Sequence, residues 1–99
     1  MIAGGATTIR GGTEIKAVTE RPSMSISVSE LDSGSWVIFE LPGFTSATTG
    51  APQASLDALR SATSTSYYRG DGALWVKLVS TGGGGANGRG AVAAIQVSR

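Results

Sequence analysis

Apolar and polar residues alternate along most of this chain with the period of two that marks a strand with one buried face. The clearest case is Met24 to Ser29, where Met24, Ile26 and Val28 turn one way and Ser25, Ser27 and Ser29 the other. Trp36 to Leu41 repeats it, with Val37, Phe39 and Leu41 on one face and Trp36, Ile38 and Glu40 on the other. Leu31 to Ser35 reads as the turn between them, and Pro42-Gly43 closes the second strand. Glu14 to Thr19 alternates more loosely, as an edge strand ended by Arg21-Pro22. Phe44 to Gln53 is a polar loop with one aromatic at its start, and Ala91 to Val97 is a last strand.

The stretch Ser66 to Val79 carries a hairpin signal. Two tyrosines precede Gly70-Asp71-Gly72, and a run of strand formers follows, with Leu74, Val76 and Leu78 on one face and Trp75 and Lys77 on the other. A three-residue loop sets Tyr67 opposite Trp75, Tyr68 opposite Leu74 and Arg69 opposite Ala73. A two-residue loop shifts the register by one and exchanges which tyrosine is buried.

One helix is expected, over Ala54 to Ala62. Leu56 and Leu59 give it a short apolar stripe, Ser55 can cap it, and Asp57 and Arg60 sit where the helix dipole favours them. So short a helix must dock on a sheet to persist. The sum is a mainly β fold, an antiparallel β-sandwich of five to six short strands with one short helix. Residues 1–99 form a single domain, with a loose N-terminal arm over 1–12 and a glycine-rich loop over 81–90.

Composition narrows the function. Charged residues make up only 15% of the chain and glycine contributes 15 residues, a balance that suits a secreted or surface-displayed β-domain. A net charge of +1, with the basic residues scattered, gives no electrostatic case for nucleic acid. No apolar run approaches the ~20 residues that span a bilayer, so membrane insertion is not expected. Residues 1–5 lack the pattern of a signal peptide, so an exported protein would begin upstream of Met1.

The chain has no His and no Cys, which removes the usual general base, thiol nucleophile and zinc ligands. The acidic residues fall in loops, at edges or at the helix start, apart from Glu40. No catalytic residue, cofactor or metal is therefore expected, and the chain is not read as an enzyme. Gly82 to Gly85 lacks the Lys-Ser/Thr of a phosphate-binding loop and reads as a linker. Arg69-Gly70-Asp71 is a triplet that some integrins read, but the turn already requires Gly-Asp-Gly. The aromatics offer more: Trp36, Tyr67 and Trp75, with Arg69 and Lys77 as polar neighbours, form a candidate carbohydrate-binding surface, or else one that docks a neighbouring domain.

Ser55-Leu56-Asp57-Ala58-Leu59, then Thr65-Ser66-Tyr67-Tyr68 leading into Gly72-Ala73-Leu74-Trp75-Val76-Lys77-Leu78, resembles a segment of secreted β-helix proteins of the cell-migration-inducing, hyaluronan-binding and cell-surface hyaluronidase type and their bacterial eight-glycine-domain relatives. The likeness spans residues 54 to 79 and is to the small β-domain late in those chains; the eight-glycine domain itself is not matched. It implies an extracellular or cell-surface setting, a polysaccharide or a neighbouring domain of the parent chain as partner, and chemistry housed elsewhere. The expected function is a non-catalytic accessory module of a secreted polysaccharide-acting protein. The alternative is a self-associating assembly module of a surface fibre, capsid or appendage, whose terminal arms add strands to a neighbour.

Overall fold

A computed structural model describes residues 6–8, 13–16, 22–31, 34–80 and 91–99. Among these residues, nine strands and one helix follow in the order β1 (Ala6–Thr8), β2 (Thr13–Lys16), β3 (Ser23–Leu31), β4 (Trp36–Pro42), β5 (Ser46–Ala47), β6 (Ala51–Pro52), α1 (Leu56–Ser61), β7 (Ser66–Gly70), β8 (Ala73–Val79) and β9 (Ala91–Ser98). Two sheets form, one in the order β1-β3-β9-β5 and the other β2-β4-β8-β7-β6. They are packed face to face as a sandwich around one core.

The alternation in the sequence decides which side chains line that core. Met24, Ile26 and Val28 of β3, with Ala93, Ile95 and Val97 of β9, come from the four-stranded sheet. They meet Val37, Phe39 and Leu41 of β4 and Leu74, Val76 and Leu78 of β8. Phe44, just past the end of β4, is buried at the same core. Ser25, Ala94 and Gln96 on the opposite face of the four-stranded sheet are exposed, as a period of two requires.

The five longest strands lie where the sequence puts them, but the boundaries differ. Leu31, expected in a turn, is the last residue of β3, reached through a bulge that shifts the register after Val28. The polar loop from Phe44 to Gln53 contains two further strands of two residues each, β5 along β9 and β6 along β7. Of the edge strand expected over Glu14 to Thr19, Thr13–Lys16 is seen at the sheet's edge, paired parallel to β4, and 17–19 lie outside the described residues. Ala6–Thr8, inside the stretch expected as a loose arm, runs as a strand parallel to β3 at the edge of the other sheet. The glycine-rich stretch 81–90 lies outside the described residues.

Helix α1 spans six residues inside the expected range. Ser55 caps it, its Oγ accepting from the Ala58 amide at 3.1 Å, a contact that stabilises by about 1 kcal/mol. Asp57 and Arg60 approach to 3.7 Å on the exposed side, where such a pair contributes little. Leu59 is the fully buried helix residue, and it lies where α1 docks on β7 and β8.

Candidate functional site

The hairpin decides which aromatics share a face. The loop is the two-residue one, with Gly70 paired to Ala73. Asp71 and Gly72 both take positive φ, +56° and +74°, the signature of a type I′ turn whose twist matches the flanking strands. Tyr68 therefore stands opposite Trp75, and Tyr67 stands opposite Val76.

Tyr67 does not join Trp75: it packs against the hydrophobic core. Arg69 shares Tyr67's side of the strand, pairs with Leu74, and is exposed at the sheet's end. Of the five residues expected to form a carbohydrate surface, Trp36, Trp75 and Lys77 lie on the outer face of the five-stranded sheet, and Tyr67 and Arg69 do not.

Three rows cross that outer face. The first holds Trp36 and Val79; the second Ile38, Lys77 and Ser66; the third Glu40, Trp75 and Tyr68. Helix α1 lies against β7 and β8 and closes the middle row, where Ile38, Lys77 and Ser66 are all buried. The two tryptophans are thus four residues apart along the strands, roughly 13 Å, with the helix-covered row between them. They cannot act as one platform.

Lys77 is a structural residue. Its side chain is only 2% exposed, yet its Nζ is well partnered. It donates to the Arg60 carbonyl and, at 2.7 Å, to the Ala62 carbonyl, the last turn of α1. The same ammonium sits 4.4 Å from the centroid of the Trp36 ring. One cation thus satisfies the open carbonyls at the helix C-terminus, favours the negative end of its dipole and fixes a tryptophan. Beside it, the buried Ser66 Oγ donates to the Ser64 carbonyl at 2.7 Å and accepts from Gln53 Nε2 at 3.4 Å. A sequence reader sees only a lysine alternating outward. The short helix arriving before the hairpin was the available signal that something would cover it.

Burial lowers the Lys77 pKa from the ordinary 10.5, because desolvation disfavours the ammonium. Below the lowered folded value both states hold the proton and the folded chain bears the whole desolvation penalty. As pH rises through that value towards 10.5 the folded chain releases the proton first, so this residue's contribution to stability rises with pH across the window. Lys77→Met is expected to lower stability at neutral pH by about 1–3 kcal/mol, through loss of both donors. Urea unfolding from neutral pH to 10.5 should show the wild-type advantage growing with pH, and parallel curves would contradict this account.

The third row remains half-exposed. Glu40, Trp75 and Tyr68 stand side by side on three neighbouring strands. The indole Nε1 of Trp75 is buried with no acceptor among the described residues, so packing rather than a hydrogen bond orients the ring. Tyr68 lies along its own strand over Gly70, where a β-carbon would collide with its ring and hydroxyl. Sequence reasoning passed over Tyr68 because two loops fit Gly-Asp-Gly and only one places it here.

Next to this row, at the end of the sheet, a cleft of about 340 Å³ opens between Gly43, Phe44 and Thr45 on one side and the hairpin tip on the other. Arg69, Gly70, Gly72 and Ala73 line the tip side. Among the described residues, no group of three His, Cys, Asp or Glu side chains is placed to hold a metal ion. No helix among the described residues is long and apolar enough to cross a membrane. Comparison with family models, with curated proteins and with solved structures finds no match.

Proposed function

We propose that this chain is a non-catalytic accessory β-sandwich module of a secreted polysaccharide-acting protein, and that it holds glycan on the row Glu40, Trp75 and Tyr68. One observation carries the reading: the type I′ register aligns an indole, a phenol and a carboxylate across three strands, beside the helix-covered middle row of that face. Strands ~4.8 Å apart make that row about 10 Å long, enough to underlie more than one sugar ring. Aromatic faces stack on the C–H faces of sugars, and the phenol offers hydrogen bonds to ring hydroxyls. The missing His and Cys agree with a binding role.

The test is titration with neutral and acidic oligosaccharides, cellohexaose and a hyaluronan octasaccharide, followed by tryptophan fluorescence. A saturable change is expected, with Trp75→Ala weakening binding by about tenfold or more, equivalent to ~1.4 kcal/mol. Tyr67→Phe, a change on the core side of the same strand, should leave affinity unaltered. Equal binding by Trp75→Ala, or none by the wild type, would remove the reading.

An assembly module is the second reading, favoured by short strands at the edges of both sheets, where unpaired backbone can accept a neighbour's strand. Light scattering separates the two. A defined oligomer indifferent to sugar points to assembly, and a monomer that binds sugar points to the glycan module.

A further inference from the structure

The backbone of β9 is paired along one side and only partly along the other. Gln96 turns both of its backbone groups towards β5. Its carbonyl accepts from the Thr48 amide at 2.9 Å, and its N–H donates to Thr49 Oγ1 at 2.9 Å. A regular strand repeats that direction every second residue, so the N–H and C=O of Ala94 and of Val92 face the same way. The register shift in this pairing adds its extra residue to β3, which leaves β9 in step. Yet β5 stands opposite Ser98 and Val97 alone, and no described residue pairs with Ala94 or Val92 on that side.

Proteins guard such an edge with charge, proline, a bulge or brevity. Elsewhere this chain does so: β1 and β6 have three and two residues, and β2 carries Glu14 and Lys16. The run Ala91-Val92-Ala93-Ala94-Ile95-Gln96-Val97 has no charge and no proline. Ala94 and Gln96 are exposed on the outer face beside Ser25 of β3, so that face brings no charge to the edge either. This neutrality selects the occupant. A second copy can lie antiparallel against the first with no like charges meeting, which a charged edge forbids. Val92 of each copy then meets Ala94 of the other about a twofold axis at Ala93, and each pair exchanges both of its N–H···O bonds.

We infer that the open edge of β9 at Val92 and Ala94 is a self-association site, to which a second copy of this chain adds its own β9 antiparallel. The inference rests on the assembly reading and names its edge. That edge belongs to the other sheet from Glu40, Trp75 and Tyr68, so the glycan reading does not enter. So short a pairing makes a weak dimer, with a Kd on the order of 0.1–1 mM. The test is amide exchange by NMR on the whole chain at about 20 µM and about 1 mM, concentrations that bracket this affinity. The Ala94 amide is expected to exchange about two- to fourfold more slowly at the higher concentration, while Ala93 and Ile95, turned towards β3, change less.

Ala94→Pro removes the outward N–H and spares the bonds to β3, as an edge position allows. It should melt within a few degrees of the wild type and keep a monomer's mass by light scattering at about 1 mM, where the wild type rises towards a dimer. Should Ala94→Pro fail to fold, the exchange measurement on the wild type decides alone. An Ala94 amide protected equally at both concentrations means that another segment of the same chain covers the edge, and overturns the site. A dimer that Ala94→Pro leaves intact also overturns it, while the assembly reading moves to another edge. A wild type still monomeric at about 1 mM removes both.

Discussion

Phe39→Ala is expected to lower the unfolding free energy by about 3–5 kcal/mol, the range for truncating a buried aromatic in a packed core. Phe39 is the largest fully buried aromatic side chain and sits mid-strand in β4. It pairs with Val76 of β8 on one side and with β2 on the other, and its ring fills the space between the two sheets. Rigid sheets cannot collapse onto the void, so little of the loss is recovered. For a domain of this size each kcal/mol shifts Tm by about 4–8 °C, which predicts a fall of roughly 15 °C or more. Calorimetry with far-UV circular dichroism checks it. Phe39→Leu should retain most of the stability, and a Phe39→Ala protein melting within a few degrees of wild type would show that the sheets do not meet there.

Gly50→Ala should lose about 2–4 kcal/mol for a different reason. Gly50 takes φ +99°, a conformation that L side chains rarely adopt. An added β-carbon would also stand 3.1 Å from Ile95 Cδ1 and 3.3 Å from the Thr65 carbonyl oxygen. That oxygen accepts from the Ala51 amide at 3.1 Å, the bond that brings β6 against β7. Relieving the contact therefore requires moving either a core isoleucine or the outermost strand of a sheet. Gly34→Ala is the control. Gly34 has φ +81° with nothing within 4 Å of the added carbon, so it should show the backbone strain alone. Urea midpoints for the two variants measure the difference, and equal losses would leave no role for the close approach at Gly50.

The architecture was legible because one-sided burial leaves a period of two in the sequence. Met24, Ile26 and Val28 announce their inward face through the serines between them, and Leu74, Val76 and Leu78 do so through Trp75 and Lys77. Local chemistry was legible too: the Ser55 cap is a contact between near neighbours. The site was less so, since it depends on the register of one turn, and Gly70-Asp71-Gly72 admits two. The burial of Lys77 was hidden because its acceptors, the Arg60 and Ala62 carbonyls, belong to a separate element whose docking no local pattern encodes. The two-residue strands β5 and β6 are too short to alternate, and their pairing is set by β9 and β7.

The place of β9 bears on how this chain reaches its native state. It pairs along nearly its whole length with β3, so that Ser23 meets Ser98 and Leu31 meets Ala91, and it also holds β5 on its other side. The four-stranded sheet therefore lacks one of its two central strands until β9 arrives. Nearly the full loop must close before those pairings return any free energy, which places folding in the slow regime of β-sandwiches, on the order of milliseconds to seconds. On the ribosome, Met24, Ile26 and Val28 emerge long before β9, the strand that pairs with theirs, and before Leu74, Val76 and Leu78 of the facing sheet. The serines between these three keep the waiting strand soluble on one side, and the nascent chain has most need of a chaperone in the interval before β9 docks.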